Sequence, residues 1–98
     1  LKIYKASLVD GLWTNVEELN FNSNAYSTGH PALNSDDTKL YFTSDMPGGY
    51  GSADIYKVSI NGNDTYGIPE NLGPIINTEG RETFPFISHN NILYFAGW

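Results

Sequence analysis

Two histidines, His30 and His89, are the natural general bases of this chain. A Ser-His-Asp set can be written from Ser35, His30 and Asp36, but acyl transfer also needs an exposed nucleophile on a Gly-x-Ser-x-Gly elbow and a set of oxyanion donors, and neither is spelled here. The adjacent carboxylates Glu17-Glu18 and Asp36-Asp37 raise the question of glycoside hydrolysis, which requires two carboxyl groups facing each other across a sugar-sized gap. Neighbours in a strand point to opposite faces, so an adjacent pair shares a site only in a turn. Hard oxygens at Asn61, Asn63 and Asp64, beside Gly62, suggest calcium, and Asp36, Asp37 and Asp45 offer others. The twelve-residue loop ending in a bidentate Glu is missing, so a plain hairpin turn is the favoured reading and no cofactor is expected. Gly48-Gly49-Tyr50-Gly51 lacks the Lys-Ser/Thr ending of a phosphate loop and no helix follows it. It reads as a loop that holds Tyr50 at the surface. Tyr50, with Gly49 and Asp45 beside it, is the candidate contact for a protein partner, because Tyr is enriched among interface anchors.

Composition narrows the classes further. The 98 residues include 10 Gly, 5 Pro and 11 Asn, which leaves little room for long helices, while 40% hydrophobic and 14% aromatic residues are too many for a disordered chain. No apolar run approaches the ~18 residues of a membrane helix. A net charge of −6, with 5 Lys+Arg against 11 Asp+Glu, gives no footprint for nucleic acid and disfavours adsorption to an anionic membrane face. With no cysteine, disulfides, thiolate zinc sites and a Cys nucleophile are excluded. The start, Leu1-Lys2-Ile3-Tyr4, has neither a signal-peptide core nor an initiator Met, and reads as the beginning of an internal segment.

The elements that would position these residues repeat. Ile3-Tyr4-Lys5 recurs as Ile55-Tyr56-Lys57 at an offset of 52, and Glu18-Leu19 corresponds to Asn71-Leu72 at 53. His30-Pro31-Ala32-Leu33 parallels Phe84-Pro85-Phe86-Ile87 at 54, and Leu40-Tyr41-Phe42 recurs as Leu93-Tyr94-Phe95 at 53. A period near 53 is long for helical repeats and close to the roughly 40 to 50 residues of a four-stranded propeller blade. Alternation in Ile3 to Leu8 and in Ile55 to Ile60 predicts strands with one better-buried face. The short apolar runs Leu40–Thr43 and Ile92–Ala96 suit strands covered on both faces. Turn chemistry at Asn34-Ser35-Asp36-Asp37, Ser88-His89-Asn90-Asn91 and Asn61-Gly62-Asn63-Asp64 predicts hairpins. Strands are expected over 1–8, 13–19, 30–34, 39–44, 53–60, 65–72, 84–88 and 92–96. The segment 16–20, the one helix candidate, is too short and too Asn-flanked to compete.

These residues carry a resemblance. The stretch from His30 to Asp45 resembles the WD40-like β-propeller repeat that also occurs in the propeller of TolB. Pro47-Gly48-Gly49-Tyr50-Gly51, Asp54-Ile55-Tyr56, Pro69-Glu70-Asn71-Leu72-Gly73, Ile76-Asn77-Thr78-Glu79-Gly80 and Phe84-Pro85-Phe86-Ile87-Ser88 are similar to the propeller region of OmpA-family envelope proteins of the Bacteroidetes. Met46 stands where that family commonly has Arg, and Ser88–Asn91 lacks its usual Pro-Asp-Gly. The resemblance implies an all-β fold of four-stranded antiparallel blades, about two blades' worth, as a fragment of a larger propeller. Residues 1–20 would be a half blade, 30–72 a complete blade and 84–98 a second half. It also implies a non-catalytic scaffold that binds a protein partner in the periplasm or at the outer membrane. A propeller belonging to a peptidase or glycoside hydrolase, and a carbohydrate-binding module, are the alternatives. Two blades do not close a ring of roughly four to eight, so the chain is expected to self-associate through its half blades or to come from a longer protein.

Overall fold

The computed structural model describes residues 1–62 and 64–98. The described residues are all β, with no helix, and their named strands pair antiparallel. Strands β1 (Tyr4–Val9) and β2 (Leu12–Glu18) form a two-stranded sheet. A second sheet holds β3 (Thr28–Leu33), β4 (Lys39–Ser44) and β5 (Asp54–Asn61), with two short strands, β6 (Thr65–Tyr66) and β7 (Glu70–Asn71), sharing the far edge of β5. β8 (Glu82–Ile87) and β9 (Leu93–Gly97) form a third, two-stranded sheet.

The expected single strand over 65–72 is therefore two pieces. Three steps along β5, from Lys57 to Ile60, face four along the outer chain, from Glu70 back to Tyr66. The surplus residue lies in Gly67-Ile68-Pro69, where proline has no N–H to give the ladder. The first sheet makes the same adjustment within β2, where Asn15 takes a φ of 55° beside the irregularity opposite Lys5–Ser7.

Loop lengths explain why the repeat offset drifts. Asp10-Gly11, both at positive φ, is a two-residue turn between the paired Val9 and Leu12. Its counterpart between Asn61 and Thr65 spans three residues, which raises the offset from 52 to 53. Conversely, the Asn34 N–H bonds the Lys39 carbonyl, whereas the Ser88 N–H bonds that of Ile92. The second hairpin is one residue shorter, and the offset falls from 54 to 53. Asp37 and Asn91, at φ 60° and 64°, occupy the same corner of the two turns.

The core lies on the central sheet. Leu40, Phe42, Tyr56 and Val58 on one face pack with Ile3, Leu19 and Phe21, which flank the first hairpin. Phe42 stacks on Phe21 with ring centroids 4.8 Å apart and on Tyr56 at 5.9 Å. The opposite side of the sheet meets β8, which contacts β3, β4 and β5. Covered on both faces, the 40–43 run is buried as the sequence predicts, apart from the half-buried Tyr41. The matching run 92–96 is not. In the first strand the better-buried face is short: Ile3 is buried and Lys5 half-buried, while Tyr4, Ala6, Ser7 and Leu8 are exposed, because no other named strand lies along β1–β2 among the described residues.

Candidate interaction surfaces

The glycine-rich loop is built around a buried carboxylate. Asp54 opens β5, and its Oδ2 accepts from the Tyr50 backbone N–H and from Asn71 Nδ2 at 3.0 Å. Gly49 lies so close to this carboxylate that a Cβ there would collide with it and crowd the Tyr56 hydroxyl. Gly51 lies as close to the backbone of Thr78 and Glu79. Burial pushes the Tyr56 phenol above its ordinary range, partly offset by its bond to Asn71 and reinforced by Asp54. The loop thus holds Tyr50 49% exposed on a fixed backbone. Of the three partner-contact candidates, Tyr50 alone presents a large side chain. Asp45 is turned to the segment that leads into β3, accepting from the Ser27 N–H at 2.7 Å.

Asn77 was not singled out by sequence reasoning, yet it organises this region. Its amide clamps both backbone groups of Ile55, with Ile55 N–H to Oδ1 at 2.8 Å and Nδ2 to the Ile55 carbonyl at 3.0 Å. Asn22 clamps Ile3 in the same way, at 3.0 and 2.7 Å. The signal was present in the sequence, but the Asn22–Asn77 offset of 55 falls outside the 52–54 range of the other blocks. Two further correspondences are structural. His30 and Phe84, each followed by proline, both take positive φ (53° and 52°) at bulges in β3 and β8. Such a φ is uncommon for a side chain as bulky as Phe. The two rings stack at 3.9 Å, and the Phe84 N–H donates to His30 Nδ1 at 3.3 Å.

The notional catalytic set is not assembled. His30 is engaged with Phe84, Ser35 Oγ bonds Asn91 at 3.3 Å, and Asp36 Oδ1 accepts from Thr38 Oγ1 at 2.6 Å. That hydroxyl, with the Thr38 N–H, holds the Asp36 carboxyl below its usual range. Glu17 pairs with Lys5 at 3.8 Å and Glu18 with Lys2 at 3.5 Å, so the two adjacent acids serve separate lysines. Of the calcium candidates, Asn63 lies outside the described residues and Asp64 pairs with Lys5 at 3.1 Å, which raises the lysine's pKa. Among the described residues no group of three His, Asp or Glu side chains is placed to hold a metal. Likewise, no helix there is long and apolar enough to cross a membrane.

Concavities among the described residues include one between strands, one beside β1, and one of about 520 Å³ between Phe21, Met46 and the 66–69 segment. A cavity of about 280 Å³ with a mixed lining lies where β3, β4 and β8 meet, with Leu1 and Ala53 beside His30, Thr43, Arg81 and Thr83. Both threonine hydroxyls are buried without a partner among the described residues. An apolar groove of about 400 Å³ borders β1 but not β2, with Tyr4 and Lys5 on one side and Leu33, Leu40 and Ile60 on the other.

Exposed apolar side chains concentrate on the two terminal hairpins: Leu8, Leu12, Trp13 and Val16 on the first, Phe86, Tyr94 and Trp98 on or beside the second. The exposed apolar surface among the described residues therefore lies largely on these two hairpins. No family model, curated protein or solved structure matches the chain.

Proposed function

We propose that the chain is a non-catalytic β-propeller segment. It would serve as a structural or protein-binding scaffold in a bacterial cell-envelope protein, at the periplasm or outer membrane. In this reading the central sheet is a complete blade and the terminal hairpins are halves of two others. The observation that carries it is the recurrence of backbone irregularities, not only of residue types. The paired bulges at His30 and Phe84, the paired asparagine clamps on Ile3 and Ile55, and the paired turn corners at Asp37 and Asn91 all follow one period. Such coincidence supports successive copies of one four-stranded unit. The separate engagement of His30, Ser35 and Asp36 supports the non-catalytic half of the reading. Tyr50 is the partner contact it favours. The envelope location rests on the sequence resemblance alone.

A panel of peptide, ester and glycoside substrates tests the proposal. No turnover above buffer is expected. Hydrolysis that a point change such as His30→Ala or Asp36→Asn abolishes would overturn it.

A further inference from the structure

The central sheet contains a template for its own neighbours. Across the β4–β5 ladder, Tyr41 faces Lys57 and Phe42 faces Tyr56. The counterparts of Tyr41 and Phe42 on β9 are Tyr94 and Phe95, and the counterparts of Lys57 and Tyr56 on β1 are Lys5 and Tyr4. The same four residue types thus stand on two strand edges that no named strand covers among the described residues.

Backbone polarity agrees. The Asn22 clamp engages the N–H and C=O of Ile3, and Lys5 pairs with Glu17 of β2. Alternation along a strand therefore turns the groups of Lys2, Tyr4 and Ala6 to the open side. On β9, the Trp98 N–H bonds the Arg81 carbonyl and the Ile92 carbonyl accepts from Ser88. The groups of Leu93, Phe95 and Gly97 consequently face outward. Burial shows what each edge lacks. Phe42 is 0% exposed and Phe95 39%; Tyr56 is 4% exposed and Tyr4 56%. The apolar groove runs beside β1, where an added strand would lie.

We propose that, in this 98-residue segment taken by itself, β9 of one copy pairs antiparallel with β1 of a second copy, with Phe95 opposite Tyr4, Tyr94 opposite Lys5 and Leu93 opposite Ala6. This completes a four-stranded sheet from two halves. The joint is heterologous, so every copy offers one donor and one acceptor edge, and copies join head to tail. Two to four copies would supply the roughly four to eight sheets at which such an array closes. The inference rests on the repeat reading given above. Their failures separate: a lone monomer without turnover removes only the joint, while turnover abolished by a point change removes only the scaffold reading.

The test uses the 98-residue chain. Sedimentation of the unaltered protein at about 100 μM should give a species of two or more copies. Tyr4→Asp and Phe95→Asp each place a charge on an edge that the isolated copy already exposes, so circular dichroism should keep the unaltered strand spectrum. Each variant alone should sediment as a monomer. Mixed in equal amounts they should form a 1:1 dimer and nothing larger, because one intact β9 edge then meets one intact β1 edge. A monomeric unaltered chain would overturn the proposal. So would a variant that self-associates alone, or a mixture that stays monomeric while both variants remain folded.

Discussion

Phe42 and Phe95 occupy the same place in two copies of one sequence pattern, as do Tyr56 and Tyr4. In the central sheet these residues are enclosed; in the terminal hairpins they stand in solvent. The difference is not in the strands, whose hairpin corners and bulges coincide. It lies in what flanks them. The central sheet has Ile3, Leu19 and Phe21 on one face and β8 on the other, whereas each terminal hairpin has an uncovered face and an open edge. Sequence pattern therefore specifies which side chains are made for burial, and the number of neighbouring sheets decides which are buried.

The largest way to break this comparison is truncation of the two phenylalanines. Phe42→Ala should cost about 3–5 kcal/mol, the usual range for a core aromatic. Phe95→Ala, measured in dilute protein, should cost about 1 kcal/mol or less, as for a surface change. Urea unfolding of both variants measures the gap, and equal losses would erase the distinction between the sheets. Next come the asparagine clamps. Asn77→Ala removes two hydrogen bonds to buried Ile55 and should cost about 1–3 kcal/mol. Asn22→Ala should cost less, because its bonds to Ile3 are only part-buried. Gly51→Ala drives a methyl into the Thr78–Glu79 backbone and should cost about 1–3 kcal/mol, whereas Gly62→Ala meets open space and should stay within about 0.5 kcal/mol. Thermal melts of the pair check this.

The smallest effect is on pH. The Asp36 carboxyl is held below its ordinary value of 3.8 by Thr38. A lowered folded-state pKa contributes stability that is present above the ordinary value and lost as pH falls through the folded one. The contribution should therefore fade below about pH 4. A carboxyl NMR titration of Asp36 should show the low midpoint, and Thr38→Val should raise it. Asn90, at the corresponding place in the other turn, offers no such carboxylate.

Much of the fold was legible. Alternation, apolar runs and Asn/Asp turns located eight strand regions, and the repeat grouped them as two, four and two. The break at Gly67-Ile68-Pro69 was foreshadowed by its proline, but the surplus residue shows only against the register of β5. The Asp10-Gly11 turn is a strong local signal that strand periodicity overshadowed. The asparagine clamps were hidden because a side chain bonding a distant backbone leaves no periodic trace. Tyr50 was placed at the surface correctly, yet the reason for its glycines, close approach to Asp54 and to the 78–79 backbone, is a long-range contact that spacing alone does not contain.

The central claim is that the terminal hairpins are complementary halves in a defined register. Because the chain has no cysteine, thiols can be placed one at a time. Directly opposed strand residues have Cα atoms about 4.5–5.5 Å apart, within disulfide reach. Tyr4→Cys mixed with Phe95→Cys under mild oxidation should yield a cross-linked dimer of one chain of each kind, more efficiently than Tyr4→Cys mixed with Tyr94→Cys. Equal cross-linking at both positions, or dimers formed as readily by either variant alone, would contradict the account.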